Sequence, residues 1–156
     1  MSASYTIGGD PGTKGGLAVL DGDGRFLIVE GFHPGMTLTE FRDVCRRAAR
    51  RVSPGTIAWV ERVNSRPGEG HVGAFTFGHA YGWLEMGLAA CDLEVRHVDS
   101  LIWQGRLECV SGGNKNVTKR RAQELFPDIK ITHTIADALL IARYGWLKSR
   151  GGGGDQ

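Results

Sequence analysis

The sequence predicts an α/β fold built on a mixed five-stranded sheet, with three strands in an antiparallel meander, two more added in parallel, and helices on the flanks. Three observations carry this. The chain opens with three short apolar stretches separated by turn-forming strings. Apolar strands then alternate with helical patterns, as βαβ units do. A length of 156 residues at 41% hydrophobic suits one domain with a real core.

Residues Ser4 to Gly9 alternate in polarity and end at a Gly-Asp-Pro-Gly turn. Gly16 to Leu20 reads as a second strand, Asp21-Gly22-Asp23-Gly24 as a tight turn, and Arg25 to Glu30 as the third strand. Thr37 with Glu40 three residues on forms a capping-box pattern that opens a helix. Leu38, Phe41, Cys45, Ala48 and Val52 fall on one face of it, and Ser53-Pro54-Gly55 ends it. Thr56 to Val60 is continuously apolar, as a buried strand should be, and Glu61 follows at its end. Residues 62–71 read as a loop, Val72 to Ala90 as a long glycine-containing helix, and Leu93 to Val98 as a strand. Short helices are expected at Ser100 to Leu107 and Val117 to Phe126, the latter stopped by Pro127. The last helix, Thr134 to Leu147, is apolar nearly all round and should be buried. Residues 1–148 are expected to form the single domain, and 149–156 a flexible Gly-rich tail.

The formal charge of +2 does not by itself announce nucleic acid. The distribution says more: Arg42, Arg46, Arg47, Arg50 and Arg51 cluster in one segment, and Lys115, Lys119, Arg120 and Arg121 in another. Cys45, Cys91 and Cys109 are widely spaced and odd in number, which argues against a zinc site or a disulfide framework and fits a reducing compartment. No signal segment and no apolar run long enough for a bilayer stands out, so a cytoplasmic protein is expected, in a bacterium or in the host of a phage.

Three acids stand beside core segments. Asp10 follows the first strand, Glu61 the buried strand, and Asp137 interrupts the apolar helix Ala136-Asp137-Ala138-Leu139-Leu140. A buried carboxylate needs a cation, a hydrogen-bond network or a metal. His133 lies four residues before Asp137, on the same helix face. Each residue alone has a plainer reading: Asp10 as a turn former, Glu61 as a strand-end ion pair, His133 as a surface or cap residue. Asp137 resists it, because Asp is a poor helix former. Converging carboxylates repel unless cations sit between them, and two Mg²⁺ ions meet that need. A pair about 4 Å apart can activate water and stabilise a leaving oxygen in phosphodiester hydrolysis. In this scheme Asp10 bridges, Glu61 and Asp137 each hold one ion, and His133 is a ligand or a proton acceptor, with Mn²⁺ as a substitute metal.

The string Gly9-Asp10-Pro11-Gly12 with Gly16-Leu17-Ala18-Val19-Leu20 resembles the opening of RuvC-type Holliday junction resolvases. Val60-Glu61 resembles their second acidic motif, residues 77–82 their glycine-bearing helix, and Ala136-Asp137-Ala138-Leu139-Leu140-Ile141-Ala142 their C-terminal acidic helix. The likeness runs in order over positions 5–147 and is strongest to the phage and chloroplast types, through Ser100-Leu101-Ile102-Trp103, Leu125-Phe126-Pro127 and Arg143-Tyr144-Gly145. It implies a ribonuclease H-like fold, a Mg²⁺-dependent crossover junction endonuclease, and Asp10, Glu61, His133 and Asp137 as catalytic and metal-binding residues. The His133–Asp137 spacing of four matches the phage and chloroplast types, where bacterial RuvC usually has three. Bacterial RuvC also carries an aromatic residue three positions after the second acid; here that position is Asn64. A wedge at the crossover would then come from Phe75 or Phe77, whose alternative role is in the core or a dimer interface.

For DNA contacts, Arg62, Asn64 and Arg66 lie in the loop after Glu61, and Lys115, Lys119 and Arg120 at a loop and helix N-terminus suited to phosphate. The arginines of the Thr37 helix are read as a solvated face. The resemblance implies a two-fold homodimer on four-way junction DNA, with the helix containing Gly78 and Gly82 at its interface. The alternative packs those glycines on the domain's own sheet. Rival functions are another ribonuclease H-like nuclease acting on branched DNA or RNA–DNA hybrids, and a junction-binding protein that does not cut. An actin-like ATPase also opens with Asp-x-Gly but needs two large lobes. The string Gly8 to Gly12 lacks the Gly-Lys-Ser/Thr ending of a P-loop.

Overall fold

In a computed structural model that describes residues 4–65 and 67–151, one sheet divides the molecule. Its strands are β1 (Thr6–Asp10), β2 (Gly16–Leu20), β3 (Phe26–Gly31), β4 (Ile57–Arg62) and β5 (Glu94–Asp99), in the order β3-β2-β1-β4-β5. β1, β2 and β3 pair antiparallel, and β4 and β5 join in parallel. This is the mixed sheet the sequence predicts. The helices are α1 (Leu38–Ala49), α2 (His71–Ala89), α3 (Ser100–Arg106), α4 (Lys115–Leu125) and α5 (His133–Arg150).

Strand alternation sorts the core into two layers. Ile7, Leu17, Val19, Ala58 and Val60 point to one face and pack with Phe41, Cys45, Leu84 and Leu88 of α1 and α2. Ala18 and Leu20 point to the other and pack with Trp103, Ala122 and the Ala136–Ala142 stretch of α3, α4 and α5. α5 lies closest of all. A methyl on Gly8 would sit 2.7 Å from Cα of Ala142, and one on Gly145 would sit 2.6 Å from Thr6 Cγ2. Gly8 lets the two backbones approach to a distance no other residue permits, and Gly145 leaves room for the Trp59 and Thr6 side chains.

The capping box forms as expected: the Glu40 N–H donates to Thr37 Oγ1 at 3.2 Å, and the Thr37 N–H donates to Glu40 Oε2 at 2.7 Å. α1, α4 and α5 each differ in detail from expectation. Leu38 is 62% exposed and Val44 takes its place in the core, because the buried face starts one turn later at Phe41. α4 begins two residues early, at Lys115, because Asn114 caps it by accepting from the Asn116 N–H at 3.1 Å. α5 runs through Arg150, so residues 149 and 150 are its last turn rather than tail. Among the described residues, no helix is long and apolar enough to cross a membrane.

Candidate functional site

The same alternation places the acids. Thr6, Gly8 and Asp10 share the face of β1 that meets α5, and Trp59 and Glu61 share that face of β4. β1 and β4 are parallel neighbours with Gly9 opposite Val60, so one residue further on, Asp10 and Glu61 emerge side by side at the same sheet end. Asp137, one turn into α5, comes down on them from above. All three line one cleft of ≈ 450 Å³, together with Lys14, Lys115 and Thr118.

The electrostatics show strain. Burial pushes the Asp10 carboxyl well above its ordinary value of 3.8, and the charges of Asp137 and Glu61 push it further; Lys115 opposes them. Burial also raises Asp137, against the Thr118 hydroxyl and the charges of Lys115 and His133. Oδ1 of Asp137 is sealed from solvent and meets no hydrogen-bond partner. Glu61 Oε2 accepts from the indole Nε1–H of Trp103 at 2.8 Å.

These features fit divalent cations, which prefer carboxylate oxygen and would relieve both the repulsion and the orphaned Oδ1. Among the described residues, no three His, Cys, Asp or Glu side chains stand close enough to share one ion. The fit rests on the chemistry of the donors: Asp10, Glu61 and Asp137 line one cleft as carboxylates, with the Asp137 Oδ1 left without a partner.

His133 stands just outside the cleft lining, near enough for its charge to act on Asp137. It is the first residue of α5, exposed, and lines an adjoining depression with Lys14, Asn114 and Lys115. Arg62 and Asn64 line a second depression that shares Glu61 and Phe77 with the cleft, and Arg62 pairs with Asp99 at 3.2 Å. Lys119 and Arg120 sit further along α4, outside the cleft lining, and Arg66 lies outside the described residues. The two wedge candidates separate. Phe75 is 73% exposed, whereas Phe77 lines the cleft and covers Gly12, where a methyl would lie 2.8 Å from its ring. Gly12 adopts φ +112°, so this turn admits glycine twice over.

Sequence reasoning missed three residues. Lys14 reaches the cleft because the β1–β2 turn folds back, with the Gly15 N–H donating to the Gly12 carbonyl at 3.2 Å. Thr118 lies one turn beyond Lys115 on α4. Trp103 carried a signal, since a buried indole N–H needs an acceptor. Gly78 and Gly82 do not pack on the sheet: a methyl on either meets nothing within 4 Å, and both face outward beside exposed Val72, Phe75 and Met86.

Three antiparallel strands continued by two parallel ones, with acids at the ends of β1 and β4 and on the helix crossing them, constitute the ribonuclease H-like fold. Within that class the chain is similar to RuvC of Thermus thermophilus. The structure of T. thermophilus RuvC in complex with a Holliday junction substrate matches with a TM-score of 0.68 and 18% identity, covering 95% of this chain and 96% of that one. A second Thermus thermophilus RuvC structure matches at 0.66 and 20%, over the same shares. By sequence, neither a family model nor a curated protein matches.

Proposed function

We propose that the chain is a structure-selective endonuclease that resolves four-way DNA junctions by symmetric, metal-dependent phosphodiester hydrolysis. One observation carries the reading: acids from β1, β4 and α5 face a single cleft in which the Asp137 Oδ1 is buried without a partner. The fold supports the substrate, since a RuvC structure of the same fold holds a Holliday junction substrate.

Asp10, Glu61 and Asp137 would hold two Mg²⁺ ions, with Mn²⁺ as a substitute. Bound there, the ions supply Lewis-acid stabilisation of the charge that builds on the phosphate. His133, at the rim beside Lys115, completes the ligand set or accepts the proton of the attacking water. Lys115 and Lys14 bind the phosphate at the cleft. Arg62, Asn64, Arg66, Lys119 and Arg120 hold the flanking strands by phosphate contacts that fix position without reading sequence. Phe75 stands exposed on α2 as the crossover wedge.

A junction with near two-fold symmetry calls for two sites related by two-fold symmetry. The outward face of α2, where Gly78 and Gly82 leave room between Val72, Phe75 and Met86, is the homodimer interface. The setting is cytoplasmic, with a role in recombination and repair or in clearing branched phage DNA.

The test is a labelled four-way junction set beside a linear duplex and an RNA–DNA hybrid, with Mg²⁺, with Ca²⁺, and with Asp10→Asn. Paired symmetric nicks in the junction alone, with Mg²⁺ alone and with Asp10 intact, are the expected result. Tight junction binding with no cleavage under any divalent ion leaves a non-cleaving binder. Equal cleavage of hybrid or duplex leaves a nuclease of the same fold without junction specificity.

A further inference from the structure

We infer that Trp103 is a positioning residue for the proposed metal centre: its indole N–H aims the Glu61 carboxylate without bringing a positive charge of its own. This rests on the nuclease reading above and deepens it.

The geometry is specific. α3 starts directly after β5, and β5 pairs with β4 so that Val98 lies opposite Glu61. Five residues beyond Val98, Trp103 turns back over the end of β4. Its side chain is 0% exposed, in the same core cluster as Val98, Leu107, Phe126 and Leu139. Nε1–H donates to Glu61 Oε2 at 2.8 Å, the length of a charge-assisted bond.

The chemistry of the donor matters as much as its position. Lysine or arginine in this place would pair with Glu61 and compete with any cation for it. An indole N–H is a neutral, single donor that cannot accept and carries no charge. It fixes direction and adds no positive charge that would compete with an ion. The ring has only two side-chain torsions, and the surrounding core fixes both, so the orientation is already set before an ion arrives. Donors of this kind behind a ligand typically change metal affinity by about 10–100-fold when removed.

The test counts Mn²⁺ bound by the protein without DNA, from the loss of the free-ion paramagnetic resonance signal, in wild type, Asp10→Asn and Trp103→Phe. Wild type is expected to bind, Asp10→Asn to lose binding, and Trp103→Phe to bind about tenfold more weakly or worse. Junction cleavage by Trp103→Phe should need correspondingly more Mg²⁺ and recover at saturation. Undiminished Mn²⁺ affinity in a folded Trp103→Phe overturns the positioning role and leaves the metal site standing; no binding by wild type overturns both. Should Trp103→Phe fail to fold, ¹⁵N-tryptophan labelling of wild type provides the readout. One of the four indole N–H signals should move on adding Mg²⁺, and the same signal should move in Glu61→Gln. If no signal answers to both, the inference falls.

Discussion

Gly8 of β1 and Ala142 of α5 meet backbone to backbone, with no space between them for a methyl group. That contact sets the depth at which α5 lies on the sheet, and with it the height of Asp137 above Asp10. Gly8→Ala should therefore act twice. It should destabilise the fold by about 1–3 kcal/mol through overpacking, or prevent folding. In any folded fraction it should lower metal affinity without removing a ligand. Urea unfolding and Mn²⁺ binding on the same preparation check both.

Asp10→Asn should be inactive and, without divalent ions, more stable than wild type. Burial and two neighbouring carboxylates disfavour the charged form of Asp10. Removing that charge should stabilise the fold. Added Mg²⁺ should raise the melting temperature of wild type and leave the variant unmoved. A variant melting well below wild type in chelator would contradict this electrostatic account.

The same groups fix a pH dependence. Asp10 and Asp137 both hold their protons to higher pH in the folded chain than the ordinary value of 3.8. The folded state thus binds more protons than the unfolded state between 3.8 and the raised values. Metal-free stability falls as pH rises through that window. Cations bind the deprotonated form, so Mg²⁺ affinity should fall as pH is lowered into the same window. Melting curves with and without Mg²⁺ across pH 4–8 should converge at the acid end, where the metal no longer stabilises.

The three cysteines should react unequally. Burial pushes the Cys45 thiol up to about 12 and the Cys109 thiol up to about 11, so neither supplies thiolate near neutral pH. Cys91 is partly exposed. Brief alkylation of the native protein at pH 8, read by peptide mass, should label Cys91 alone. Rapid labelling at all three would show that the core opens far more readily than its packing implies.

Much of this was legible in the sequence, and the reason is periodicity. A repeat of two in the strands and a cap at Thr37 specify local structure from local residues, and Asp137 betrayed itself as a charge inside an apolar helix. What escaped depends on contacts between distant segments. Trp103 meets Glu61 only because β5 lies beside β4. Lys14 joins the cleft only because the hairpin turns tightly. His133 was expected with the acids because it shares a helix face with Asp137, yet one turn of helix lifts it out to the rim. Gly78 and Gly82 had two possible neighbours in the sequence, and only the packing of Ala80, Leu84 and Leu88 decides which way they face.

That outward face gives a further expectation. Val72 and Met86 are 82% and 66% exposed, so the pair Val72→Glu and Met86→Glu should leave monomer stability within about 0.5 kcal/mol. If α2 is the interface, sedimentation should show the double variant as a monomer where wild type is a dimer. Unchanged sedimentation would place the interface elsewhere.

The three acids are drawn from the first strand, the fourth strand and the last helix. During synthesis Asp10 and Glu61 leave the ribosome long before Asp137, and α5 can seat against Gly8 only once it has emerged. The cleft therefore closes only after α5 has been made. A chain cut short before α5 has Asp10 and Glu61 at the uncovered ends of two central strands and no Asp137 to meet them.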